Sequence, residues 1–175
     1  MLVCQKLSHP LANLMLEGME QHHKFMRQAL DCATQSLRTG DVPIGAVIVH
    51  EGRVIGKGWN QVEKLQDASA HAEIIAISSA SDALQEKYLT ASTLYVTIEP
   101  CTMCAGAIEL ARIPRVIFGA QEPKTGACGS IRSILGPESG PNASAREVYG
   151  GILEDECATL MKTFFQGLRH GSKEG

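Results

Sequence analysis

Apolar residues along this chain switch repeatedly between helical and strand spacing, and that alternation limits its possible folds more than any other feature. Over residues 22–39, Met26, Ala29, Leu30, Ala33 and Leu37 share one helical stripe, which Gly40 stops. Residues 44–50 and 53–59 are β-rich runs separated by Glu51-Gly52, a two-residue hairpin signal. Residues 70–79 predict a helix, 93–98 a buried strand, 103–111 a short helix closed by Arg112 and Pro114, and 115–119 another strand. Gly, Pro and Ser are frequent over 126–142, which predicts loop with one turn of helix at 131–135. A short strand at 147–149 and an amphipathic helix over 153–168 complete the order. Helices interleaved with strands in this way predict an α/β fold, a three-layer α/β/α sandwich around one mixed sheet of about five strands. The first twenty residues fit none of these elements. They are expected as a loose N-terminal extension to a domain over 21–175, because termini are loose unless tied down.

A chain of 175 residues, 44% hydrophobic and 20% charged, can build a core without disulfide staples. No apolar run approaches the ~18 residues of a membrane span, so no membrane role is expected. The formal net charge of −3 removes bulk attraction to nucleic acid, and any such contact must come from a local patch. The cysteines are irregularly spaced, and no continuous apolar stretch near the start resembles a secretion signal. A reducing, cytoplasmic setting is expected. There a close cysteine pair binds metal or does redox work.

Two short segments carry the chemistry: His71-Ala72-Glu73 and Pro100-Cys101-Thr102-Met103-Cys104, each opening a predicted helix. The C-x-x-C spacing allows zinc ligands, a redox dithiol or two core cysteines. A redox pair belongs after the first strand of a thioredoxin-like unit, whereas this pair follows the third. At i and i+3 the two sulfurs share one face of a helix turn, and the helix N-terminus favours the metal-binding thiolate. With His71 they make three protein ligands, which leaves an open fourth position, the mark of catalytic zinc. Glu73 is the rival fourth ligand. However, residues i and i+2 of a helix diverge by about 200°, which faces Glu73 toward a bound water instead. Two thiolates neutralise zinc and weaken its pull on that water, so a neighbouring carboxylate has to supply the missing basicity. This is equipment for hydrolytic removal of an amino group.

His-Ala-Glu followed by Pro-Cys-x-x-Cys is the signature by which zinc deaminases of the cytidine deaminase superfamily are generally recognised. The chain further resembles the bacterial tRNA-specific adenosine deaminases. The likeness runs through Val42-Pro43-Ile44-Gly45-Ala46-Val47, Gly58-Trp59-Asn60, Ala70-His71-Ala72-Glu73, Leu94-Tyr95-Val96-Thr97, Glu99-Pro100-Cys101-Thr102-Met103-Cys104-Ala105-Gly106-Ala107, Lys124-Thr125-Gly126-Ala127 and Phe164-Phe165, and it spans about residues 21–168. The resemblance implies conversion of adenosine to inosine at the wobble position of a tRNA anticodon. His71, Cys101 and Cys104 would hold one zinc ion per subunit, and Glu73 would move a proton from water to N1 of adenine and then to departing ammonia. Asn60 would hydrogen-bond the flipped base, Val42 and Ile44 would wall its pocket, and Ala72 would also contact substrate. Lys124 and Thr125 would meet the RNA, and the last helix would support the anticodon stem-loop. The resemblance also implies a homodimer, with no organic cofactor. Glu122 stands where the family commonly has Asp.

Other assignments compete with these. A deaminase of free guanine, cytosine or cytidine could use the same scaffold, and a structural-zinc binding module could use the same ligands. Asn60 could merely cap a turn, and Lys124 could be an ordinary solvated lysine. Trp59 reads as core, His22 and His23 as surface residues. Cys4, Cys32, Cys128 and Cys157 read as structural or exposed thiols.

Overall fold

The computed structural model describes residues 10–136, 145 and 147–171, with side chains described between Gly18 and Arg169. Five strands form one sheet in the order β2-β1-β3-β4-β5. They are β1 (Gly45–His50), β2 (Arg53–Trp59), β3 (Ser92–Ile98), β4 (Arg115–Ala120) and β5 (Glu147–Tyr149). β1 pairs antiparallel with both β2 and β3, whereas β3, β4 and β5 run parallel, so the sheet is mixed. Successive strand residues point to opposite faces. Ala46, Ile48, Leu94, Val96, Val116 and Phe118 pack on one side against α3 (Ala72–Leu84) and α4 (Thr102–Leu110). Val47, Val49, Tyr95 and Ile117 pack on the other against α1 (Pro10–Ser36) and α5 (Glu154–Gly171). This is the expected three-layer sandwich. The expected hairpin is present too: Glu51 and Gly52 both have positive φ, 48° and 74°, as a type I′ turn requires.

Local departures from the sequence expectations have physical causes. α1 starts at Pro10, so helix runs through residues 10–20; residues 1–9 of the expected extension lie outside the described residues. Pro10 suits a first helical position, and Leu11, Ala12, Leu14, Met15 and Leu16 are good helix formers. Leu37 leaves the apolar stripe and is exposed, because residues 37–39 tighten into a 3₁₀ turn closed by left-handed Gly40. His22 is half-buried, its Nδ1 2.9 Å from the Tyr95 hydroxyl, and is not the surface residue expected. A four-residue helix, α2 (Val62–Leu65), lies between β2 and α3. No helical turn forms at 131–135. The Ile134 N–H donates to Ala127 O and Cys128 bridges Ser133, so this segment bonds across to its own preceding limb instead of along the chain.

One close approach sets the position of α3. A Cβ on Gly58 would lie 2.1 Å from the Ala72 carbonyl oxygen and 2.6 Å from the Ala76 nitrogen, so β2 and the first turn of α3 touch backbone to backbone. Gly58→Ala therefore forces the helix away from the sheet and is expected to cost about 1–3 kcal/mol or more by overpacking. Gly167→Ala, in α5 with nothing within 4 Å of its Cβ, is expected to stabilise by about 0.5–1 kcal/mol. Denaturant unfolding of both variants checks the contrast. Equal stability of Gly58→Ala and wild type would contradict the close packing.

Candidate active site

The sheet topology gathers the candidate residues at one edge. β3 and β4 are parallel, so the segments that follow them, carrying Cys101 and Lys124, emerge side by side. β1 opposes β3 and begins at that edge just after Val42 and Ile44; β2 opposes β1 and ends there at Trp59, just before Asn60. Sites at the carboxyl ends of parallel strands are the rule in α/β sheets.

His71 is the N-cap of α3 and Cys101 the N-cap of α4, so two helix N-termini converge on one point. Their positive ends favour thiolate over thiol. His71 Nδ1 lies 3.7 Å from Cys101 Sγ and 3.4 Å from Cys104 Sγ. These three residues form the only group of metal-ligating atoms found among the described residues, all within 4.8 Å of one another. Zinc–sulfur and zinc–nitrogen bonds of ~2.3 and ~2.0 Å in a tetrahedron place ligand atoms about 3.5–3.8 Å apart, so the trio fits one ion. The protonation pattern agrees. The Cys101 thiol is lowered to about 3, chiefly by its hydrogen bond with Cys104 and, against the effect of burial, also by His71. Cys104 is raised because its S–H donates a hydrogen bond to Cys101 and is itself buried. His71 is raised by its bond to Cys101, against burial. The short contacts among the three heads mark where one divalent cation would sit.

Glu73 sits one residue into α3 and is 4% exposed. Burial raises its carboxyl above the usual range, partly offset by a backbone hydrogen bond and the His71 charge. A carboxyl moved toward neutral pH next to a metal site is suited to exchanging protons.

Beside the trio opens a cleft of about 760 Å³. His71 forms part of its floor. Val42, Ile44, Asn60 and Lys124 line it, as do Phe164 and Phe165 of α5, whose rings meet edge to face at 5.3 Å. Asn60 is 6% exposed, and its side-chain amide has no hydrogen-bond partner among the described residues, which leaves it available to a ligand. Ala72 and Thr125 do not line the cleft: the Ala72 side chain lies wholly in the core, and Thr125 is exposed on the loop after β4. Trp59 packs at the margin of the core, as expected. Cys32 and Cys157 are buried, and Cys128 is half-buried.

Two carboxylates that frame this site were given no role from the sequence. Asp41 is fully buried. It accepts hydrogen bonds from the Thr39 hydroxyl at 2.6 Å and from the Glu63 and Lys64 N–H groups at 2.6 and 3.4 Å, tying the segment before β1 to α2. Glu99, just before Pro100, is 2% exposed. Burial acts to raise it, but hydrogen bonds from Ser130, Glu122 and Cys128 hold it below the usual carboxylate range. The signal available was its place at the head of the stretch Glu99 to Ala107, through which the chain resembles the tRNA deaminases.

The sequence matches the cytidine and deoxycytidylate deaminase zinc-binding region over residues 19–120. It is 46% identical over 155 residues to the tRNA-specific adenosine deaminase of Haemophilus influenzae, covering 88% of each chain. Among solved structures it is similar to one from a study of A-to-I editing by tRNA:A34 deaminases at the wobble position, with a TM-score of 0.72, 46% identity, and 78% of this chain and 98% of that one covered. A guanine deaminase of Bacillus subtilis matches less extensively, with a TM-score of 0.55, 39% identity, and 57% and 64% of the two chains covered.

Substituting both Cys101 and Cys104 by Ala should abolish zinc binding, because one imidazole is left of the donor set. Substituting Cys32, Cys128 and Cys157 by Ser should leave about one zinc per chain. Elemental analysis of purified, folded protein decides both. Full zinc content in the Cys101, Cys104 double variant would contradict the assignment.

Proposed function

The chain belongs to the cytidine and deoxycytidylate deaminase family, and from that premise we propose that it deaminates adenosine to inosine at the wobble position of a tRNA anticodon. The observation that carries this reading is the His71–Cys101–Cys104 trio beside a cleft that His71 and Asn60 both line, Asn60 with a side-chain amide that no described residue binds. The 46% identity to a tRNA deaminase over 88% of the chain supports it over deamination of a free base, since guanine deaminases match at 39% identity over only 57% of this chain or at 23% over 81% of it.

His71, Cys101 and Cys104 would hold the zinc ion. When bound, zinc supplies an activated water as the nucleophile. Val42 and Ile44 wall the space for the base, and Asn60 orients it with its free amide. Ala72 can reach substrate through its backbone N–H, which lies in the first turn of α3 and has no intrahelical partner. Glu73 takes a proton from the attacking water and delivers it to N1 of adenine, then carries the remaining proton of the hydroxyl added at C6 to the amine, which leaves as ammonia. Its burial keeps bulk water from competing for that proton. Lys124 and Thr125 meet the RNA beside the target nucleotide. An anticodon loop already presents unpaired bases, so extruding adenine costs less than from a duplex.

The catalytic domain on this reading spans residues 21–175 and acts in the cytoplasm. No helix among the described residues is long and apolar enough to cross a membrane. A homodimer is part of the proposal. Met103 and Leu110 are exposed, 39% and 79%, one above the other on α4 with Gly106 open between them, an apolar strip suited to a second copy.

The test is inosine formation on an intact anticodon stem-loop, side by side with free adenosine, cytidine and guanine. The stem-loop should react fastest, and Lys124→Ala should raise KM more than it lowers kcat, because it removes binding common to ground and transition states. Faster ammonia release from a free base or nucleoside would overturn the tRNA assignment.

A further inference from the structure

The loop after β4 carries Lys124 and has no regular secondary structure of its own, yet its backbone is tied down from one point. The Glu99 carboxylate lies at the end of β3, two residues before Cys101. Its Oε2 accepts the Glu122 N–H at 3.1 Å and the Ser130 hydroxyl; its Oε1 accepts the Cys128 N–H at 2.8 Å and the Ser130 N–H at 3.1 Å. Two strand-like contacts reinforce this: Ala127 N–H donates to the Pro100 carbonyl at 2.9 Å, and Cys101 bridges Gly126. A Cβ on Gly126 would meet Glu99 Oε2 at 2.5 Å, so the loop is pressed directly onto the carboxylate. The donors lie on both sides of Lys124 and Thr125, so Glu99 clamps the two limbs of the loop whose tip faces the cleft.

We infer that Glu99 is a positioning residue for substrate docking: it holds the 122–130 loop against the metal-ligand turn so that Lys124 is presented at a fixed distance from the zinc site. The inference rests on the proposed role of Lys124 toward RNA. Glu99 touches neither substrate nor the reacting atoms, and its role belongs to binding. A buried carboxylate with four donors is hard to replace. Glutamine keeps one acceptor oxygen, enough for the Cys128 and Ser130 N–H groups, but turns its own NH₂ toward the Glu122 N–H. Glu99→Gln should therefore be intermediate between wild type and Glu99→Ala.

The experiment measures zinc content, steady-state kinetics on the anticodon stem-loop and affinity for the same stem-loop carrying a non-deaminable purine. It compares wild type, Glu99→Ala, Glu99→Gln, Lys124→Ala and the Glu99→Ala, Lys124→Ala double variant. Glu99→Ala should keep its zinc, raise KM and weaken RNA affinity by roughly tenfold or more, and change kcat far less, since it loosens a contact made alike in ground and transition states. Glu99→Gln should fall between, and it carries the comparison should the alanine variant fold poorly. Lys124→Ala should weaken binding in the wild-type background and add little in the Glu99→Ala background, because the two act through one loop. Equal effects of Lys124→Ala in both backgrounds would overturn the inference, as would loss of zinc or a pure kcat defect in a folded Glu99 variant. Failure of the wild-type protein on the stem-loop would instead overturn the functional proposal itself.

Discussion

Gly58 lets the first turn of α3 rest directly on the backbone of β2, and the rest of the site depends on that contact. With α3 seated there, its N-cap His71 brings Nδ1 to 3.4 and 3.7 Å from two sulfurs on a different helix. Any side chain at position 58 would lift that turn and carry His71 and Glu73 with it. The small residues of α3 serve the same purpose further along, where Gly56 faces Ala76 and Ala80. The helix is held by fit to the sheet, and the metal ligands inherit its position. Catalytic geometry of this kind needs side chains fixed to within a fraction of an ångström, which regular elements supply better than loops.

The loops around the site are fixed by a different device. Buried carboxylates collect backbone N–H groups: Asp41 those of Glu63 and Lys64, Glu99 those of Glu122, Cys128 and Ser130. Each ties a cleft-lining segment to a regular element or to the turn that follows one. The aromatic pair of α5 closes the far side of the cleft. The cleft therefore combines a rigid metal corner with walls held by individual side chains, and the latter are the natural place for substrate preference to vary.

The metal corner and the sandwich were legible in the sequence because their signals are local. His71 to Glu73 and Cys101 to Cys104 declare themselves by residue type and spacing, and the alternation of Ala46 to Val49 and of Leu94 to Val96 assigns two faces to the sheet. The roles of Glu99 and Asp41 were not legible, because the backbone groups they hold are more than twenty residues away in sequence, and no periodicity records such a bond. α2 is too short for its apolar spacing to register. The expected turn at 131–135 was lost to cross-limb hydrogen bonds in the loop that Glu99 anchors. The early start of α1 was hidden because residues 10–20 show helix formers but no recognisable stripe.

The proposed chemistry requires Glu73 to be a proton carrier beside the zinc and not one of its ligands. The most direct measurement is zinc stoichiometry and single-turnover rate on the anticodon stem-loop for Glu73→Gln, made on the same preparation. The expected result is about one zinc per chain with a rate reduced by ~10²–10⁴-fold, the usual contribution of general acid–base catalysis. Loss of zinc from the folded variant, or a rate near that of wild type, would contradict it.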